Sequence, residues 1–97
     1  MAINYVDYEV LAKGQTTYSN KAEELDGILK DLLNMNAELS DGWKNDTARA
    51  FVQRFQDDHK PAIEKVIAAL NEISNYISTY SANRQDEDAQ GASAVSG

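Results

Sequence analysis

The chain has 97 residues, no cysteine, a single histidine and a formal net charge of −7. The lack of cysteine removes disulfides, thiolate metal sites and cysteine nucleophiles together, and His59 alone leaves no histidine pair for zinc. The acidic balance argues against nucleic acid, whose phosphates demand clustered Lys and Arg, and against adsorption to anionic lipid.

So short a chain makes one thin domain and buries a modest share of its surface, so help from a partner is expected. No window approaches the roughly 20 apolar residues that span a bilayer, so no stable membrane insertion is expected. The opening "MAINYVDYEV" has neither a basic region nor a long apolar run, hence no conventional signal peptide. By these rules alone the protein would stay in the cytoplasm.

The first predicted element is a helix over about 7–39. Asp7 is its expected N-cap, with Glu9 placed for the helix dipole. Leu11, Tyr18, Leu25, Leu32 and Leu39 recur every seven residues; Ala22 and Leu29 fill the intermediate row, and Ile28 and Met35 widen the stripe. This three-and-four alternation marks a buried helix face. Lys13, Asn20, Glu24, Lys30 and Asp31 occupy the solvent side. Gly14 and Gly27 each weaken the helix by about 1 kcal/mol relative to alanine. They read as tolerated surface flaws, with two sharper alternatives: close approach by another helix, or a second start at Asn20, where Glu23 completes a capping pair.

A tight reversal follows at about 40–46, in "LSDGWKNDTARAF". Gly42 is expected at the C′ position in a left-handed conformation. Asn45 tolerates positive φ, and Asn45 or Asp46 can cap the next helix. Trp43, the only tryptophan, then sits at the hairpin tip, where its ring can cover both helix ends.

The second helix is predicted over about 47–83. Val52, His59, Val66, Ile73 and Tyr80 share one row; Phe55, Ala62, Ala69 and Tyr76 share the next; Ile63, Leu70 and Ile77 form a third. Three rows exceed what one partner helix covers. His59 reads as a packed or edge-lying histidine. Pro61 lacks a donor and clashes with the preceding turn, and the rows continue across it, so a kinked continuous helix is expected there. After Tyr80 the pattern stops, and the acidic, then Gly/Ser-rich residues 84–97 read as a flexible tail that leaves 1–83 as the hairpin domain.

The acidic pairs Asp57–Asp58 and Asp86–Asp88 lack a second polar cluster, a phosphate loop or a nucleophile elbow. No enzyme, catalytic residue, metal or cofactor is therefore expected. The fold class is all-α: an antiparallel helix-turn-helix hairpin that hides its remaining apolar surface by dimerising into a four-helix bundle. The expected core and dimer seam comprises Leu11, Tyr18, Leu25, Leu29 and Leu32 with Phe51, Phe55, Val66, Leu70, Ile73 and Ile77.

The long helix, the Trp turn (Gly42, Trp43, Asn45), the second helix with Phe51 and Phe55 after the tryptophan, and the length together resemble the WXG-type family. These are small helical-hairpin substrates of type VII secretion systems in Gram-positive bacteria. The resemblance covers residues 7 to about 83. It implies a protein that acts by protein–protein interaction, as a homodimer or with a related WXG-type protein. It further implies recognition by the secretion ATPase and arrival outside the cell or at its surface by a route without a signal peptide, with a carrier, virulence or competition role. Two departures stand out. Asn45 occupies the glycine position of the turn, giving "WKN". The family's export signal, a tyrosine followed four residues later by Asp or Glu, is not met: Tyr80 is followed by Arg84, so a relaxed signal would use Tyr80 and Asp86. The alternative is an intracellular partner or targeting factor for a larger toxin that uses the same system.

Overall fold

The computed structural model describes the backbone of residues 5–96 and the side chains of residues 5–89. Helix α1 runs from Tyr8 to Gly42 without a break. The Asp7 carboxylate caps it, accepting from the N–H groups of Glu9 at 3.0 Å and Val10 at 3.2 Å, which satisfies two of the donors that a helix start leaves open. Nothing restarts at Asn20. Gly27 faces open space, while the Cβ position of Gly14 lies 3.7 Å from Ile77 Cδ1, an ordinary contact distance. Of the two glycines, only Gly14 meets the opposite helix.

The turn is built differently from the sequence expectation. No described residue has positive φ. Gly42 is the last helical residue, Trp43 is extended (φ −140°, ψ 96°), and Asn45 is extended as well (φ −153°, ψ 179°). The left-handed conformations expected at Gly42 and Asn45 are thus absent, because extended backbone at Trp43 and Asn45 already reverses the chain. Asn45 instead caps α2 (Asp46–Arg54), its Oδ1 accepting from the Ala48 N–H at 2.8 Å. That role explains why asparagine serves where the WXG pattern has glycine.

Pro61 has its effect one turn upstream. Residues Phe55–His59 form a π turn, closed by the Lys60 N–H bonding to the Phe55 carbonyl. Proline cannot donate to the carbonyl four residues back and its ring clashes there; a widened turn relieves both conflicts without breaking the helix. The chain passes directly into α3 (Lys60–Ser96). A π turn therefore stands where a kink was expected.

α3 also continues past Tyr80, where the periodic pattern ends. The residues taken from sequence as a tail are helical from 84 to 96; Gly97 and the side chains of 90–97 lie outside the described residues. The Tyr8 hydroxyl donates to Asp88 Oδ2, and Arg84 Nε approaches Asp88 Oδ1 at 3.5 Å, so the first turn of α1 clasps this part of α3. A composition unable to bury apolar surface is held by these polar ties instead.

The two arms lie antiparallel in a rod 76 Å long and about 20 Å across. Their shared seam is thin. Among the described residues the buried apolar ones are Ala22, Leu29, Ala48 and Phe55, joined by the polar Asn36 and Ser74. Ser74 Oγ donates to the Gln15 carbonyl at 2.9 Å, while Asn36 Nδ2 has no partner. Leu33, Ile63, Ile67, Leu70 and Ile77 flank this seam, half-buried.

Candidate functional site

The structure divides the predicted seam into two stripes. Leu29, Phe55, Leu70 and Ile77 turn towards the other arm of the hairpin. Tyr18, Leu32, Val66 and Ile73 do not: they stay exposed by 37, 39, 50 and 40 %, with Ile28, Met35, Tyr76 and Tyr80 beside them, and Leu11 and Leu25 half-buried at the border. Phe51 is exposed at the turn end.

Helical geometry places all these outer residues together. Each residue advances about 100° around a helix. In α1, Leu25, Ile28, Leu32 and Met35 sit about a quarter turn to one side of the row Ala22, Leu29 and Asn36 that meets the other arm. In α3, Ala62, Val66, Ala69 and Ile73 are displaced in the same rotational sense from Ile63, Ile67, Leu70 and Ser74. Because the arms run in opposite directions, both displacements lead to the same flank. The opposite flank carries Thr16, Glu23, Lys30, Glu64, Asn71 and Gln85, all exposed. The hairpin is two-faced, with one continuous apolar surface and one polar one. The repeat of three and four within each exposed stripe is the spacing of helix-bundle packing.

Two grooves open at the ends of the rod. At the turn, Trp43, half-buried, lies with its ring centre 5.9 Å from that of Phe51, tilted by 46°. Its groove, about 460 Å³, is lined also by Lys44, Ala48, Arg49 and Val52. Trp43 thus packs beside the start of α2, with Ser40 from the end of α1 lining the same groove. At the opposite end Tyr5, Val6, Val10, Leu11 and Tyr80 line a groove of about 370 Å³. Tyr80 is brought to this groove, whereas Asp86, its proposed companion, does not line it.

The electrostatics are those of a solvated surface. The ion pairs join residues three or four apart on exposed helix faces, as in Lys30–Asp26 at 2.8 Å and Lys60–Glu64 at 3.3 Å, and such pairs contribute little to stability. The hydrogen bond to Asp88, then partial desolvation and the carboxylate's charge, raise the Tyr8 phenol above its ordinary value; Arg84 opposes this in part. Asp26 raises Lys30 similarly. His59 is exposed, its ring 6.0 Å from that of Phe55. Among the described residues no group of three or more His, Asp or Glu is placed to hold a metal ion, and no helix is long and apolar enough to cross a membrane.

Sequence reading missed the Tyr8–Arg84–Asp88 clasp and the polar members of the inner seam. The Arg84–Asp88 spacing of four was the available hint that helix continues there. Ile67, which completes the three-and-four alternation with Ile63, Leu70 and Ser74, was the hint that α3 carries two stripes rather than one broad one.

Unbroken antiparallel arms, a tryptophan at the reversal and a chain of this length meet in one known pattern: the profile of proteins of 100 residues with WXG matches residues 5–89. The chain belongs to the WXG100 family. This is a non-enzymatic family associated with type VII secretion, an export route that uses no signal peptide, and its members typically pair with each other. An uncharacterized protein of Clostridium acetobutylicum is 25 % identical over 92 residues, covering 93 % of this chain and 96 % of that protein. No solved structure matches the chain.

Proposed function

We propose that this WXG100 protein works as a secreted dimer that acts through its surfaces. Two hairpins stack their apolar flanks into an antiparallel four-helix bundle, which the type VII secretion ATPase recognises and exports folded in a Gram-positive host. Outside, the protein acts by protein–protein contact, as a co-secreted carrier or as a virulence or competition factor. The exposed apolar flank carries this reading. Eleven large apolar side chains remain exposed among the described residues, and most of them lie on that one side. A patch so large on a lone soluble chain marks an interface. The family's association with secretion and its habit of pairing support the rest.

The test combines two measurements. Light scattering at micromolar concentration should give twice the mass of one chain, and the protein should appear in the medium only when the secretion ATPase is intact. A monomer in scattering, or cytosolic retention with the system working, refutes the proposal.

One observation favours a second reading. Arg84 stands where the family's export signal has an acidic residue, and it is drawn back against Asp88 rather than offered outward. On that reading the protein stays inside as the partner or targeting factor of a larger toxin. A stable one-to-one complex with such a protein, in place of a homodimer, would decide for it.

A further inference from the structure

We propose that the π turn at Phe55–His59 fixes which face of α3 is offered for assembly, by setting the helix one residue out of phase with α2. The proposal rests on the dimer put forward above and says how its α3 surface arises.

An uninterrupted α-helix returns to the same side after about 7, 11, 14 and 18 residues. Counted from Phe55, those positions are Ala62, Val66, Ala69 and Ile73. Phe55 is buried in the seam, so a regular helix would carry that row inward with it. In the structure the row that goes inward lies one residue later. Ile63, Ile67 and Leu70 are half-buried, and Ser74 is 7 % exposed and bonded to Gln15 on the other arm. Val66 and Ile73 stay exposed by 50 and 40 %, with Ala62 and Ala69 exposed beside them. The rows that run in line across Pro61 in the sequence are therefore not in line in space.

The lag has a definite place. The Phe55 N–H bonds back to the carbonyls of Phe51 and Val52 as α2 ends, and the Lys60 N–H reaches back five residues to Phe55. The turn between them holds one residue more than an α turn, which sets everything downstream back by about 100°. Pro61 cannot donate to the carbonyl four residues before it, so the wider turn costs least here. Among the described residues it is the only such turn. Helix α1 has none and keeps Ala22, Leu29 and Asn36 in one inner row.

The shift sorts side chains by size. It takes Ile63, Ile67 and Leu70 inside and leaves Ala62, Val66, Ala69 and Ile73 outside. Without it, alanines would fill the seam and the larger row would face solvent. The outer row carries no charge and alternates alanine with a branched side chain, the form of a helix face whose small residues admit the side chains of a neighbouring helix. A second copy supplies those side chains: Leu25, Ile28, Leu32 and Met35 of α1 emerge on the same flank, also uncharged, so two chains of net charge −7 meet there without repulsion between side chains.

Removing Asp58, an exposed residue of the turn, together with Pro61→Ala leaves a regular helix whose downstream rows keep their observed phase. Because the chain has no cysteine, maleimide labelling of Val66→Cys and of Ile67→Cys reads that phase directly. In dilute protein Val66→Cys should react roughly tenfold faster than Ile67→Cys, since a seam residue must open locally before it reacts. The shortened chain should preserve this order, the helical circular dichroism and the dimer mass in light scattering. Deleting Asn71 instead, beyond the turn, rotates the rest of α3 by about 100° and should abolish the dimer. A shortened chain that unfolds while Pro61→Ala alone folds, or in which the labelling order reverses, overturns the proposal. So does an Asn71 deletion tolerated equally well, or a shortened chain that keeps the labelling order yet loses the dimer of its parent. A parent chain that is itself monomeric refutes the dimer, and the labelling order then still decides whether the turn sets the phase.

Discussion

Leu32→Asp separates assembly from folding of the single hairpin, and its size can be worked from burial. Leu32 keeps 39 % of its surface exposed, on the outer stripe of α1. That is roughly 70 Å², and covering it contributes about 1.8 kcal/mol per copy at ~25 cal/mol per Å². Twofold symmetry applies the loss twice, so deleting the apolar contact alone costs about 3.5 kcal/mol of association, or a Kd raised roughly 400-fold. A carboxylate left without a partner in the interface adds several kcal/mol more. The expected variant is monomeric at micromolar concentration, and sedimentation equilibrium measures this. Leu29→Ala is the companion experiment. Leu29 is 5 % exposed and faces the other arm, so its truncation should cost the hairpin itself about 2–5 kcal/mol and lower the melting temperature. A Leu32→Asp protein that remains dimeric with unchanged melting from 1 to 100 μM would refute the assignment of the outer stripe to assembly.

Asn36→Leu should stabilise the protein by about 1–2 kcal/mol in urea unfolding, because a buried amide with an unpartnered Nδ2 is replaced by apolar volume on the inner seam. Tyr8→Phe should speed amide exchange over residues 84–88 by breaking the hydroxyl's bond to Asp88, with helix content unchanged at neutral pH. The phenol's raised pKa gives the clasp a pH dependence: its contribution is complete below the ordinary tyrosine value of 10.0 and is lost as pH rises through the higher folded value, so exchange at 84–88 should accelerate only in strong alkali. Pro61→Ala should raise stability by less than about 3 kcal/mol, the cost of an interior proline that the π turn already offsets in part; a lower melting temperature would count against that account.

Much of the architecture was legible from spacing. Asp7 is the kind of side chain that caps a helix, and the leucine heptads of α1 announce its length. The neighbouring rows of α3 announced an apolar face wider than one helix covers, and part of it, Val66 and Ile73 among others, stays exposed in the hairpin. What they did not reveal is which row meets which neighbour: Leu29 and Leu32 belong to one amphipathic stripe in sequence, yet one is interior and the other is not. The turn was legible as a turn, but glycine and asparagine are compatible with left-handed and extended backbone alike. Pro61 signalled a defect without stating its form, since a kink, a break and a π turn all answer a missing donor.

Local chemistry in the sequence therefore determined the elements, because capping, periodicity and breakers act within a few residues. The sequence also determined that the elements carry more apolar surface than one hairpin hides. Only the tertiary structure decided the rest: the register set by Ser74 and Gly14, the flank on which both outer stripes emerge, and the docking of residues 84–88 through Tyr8. Those depend on how two helices rotate about their own axes when packed, and on contacts between residues as many as 80 apart in the chain, which no local pattern encodes.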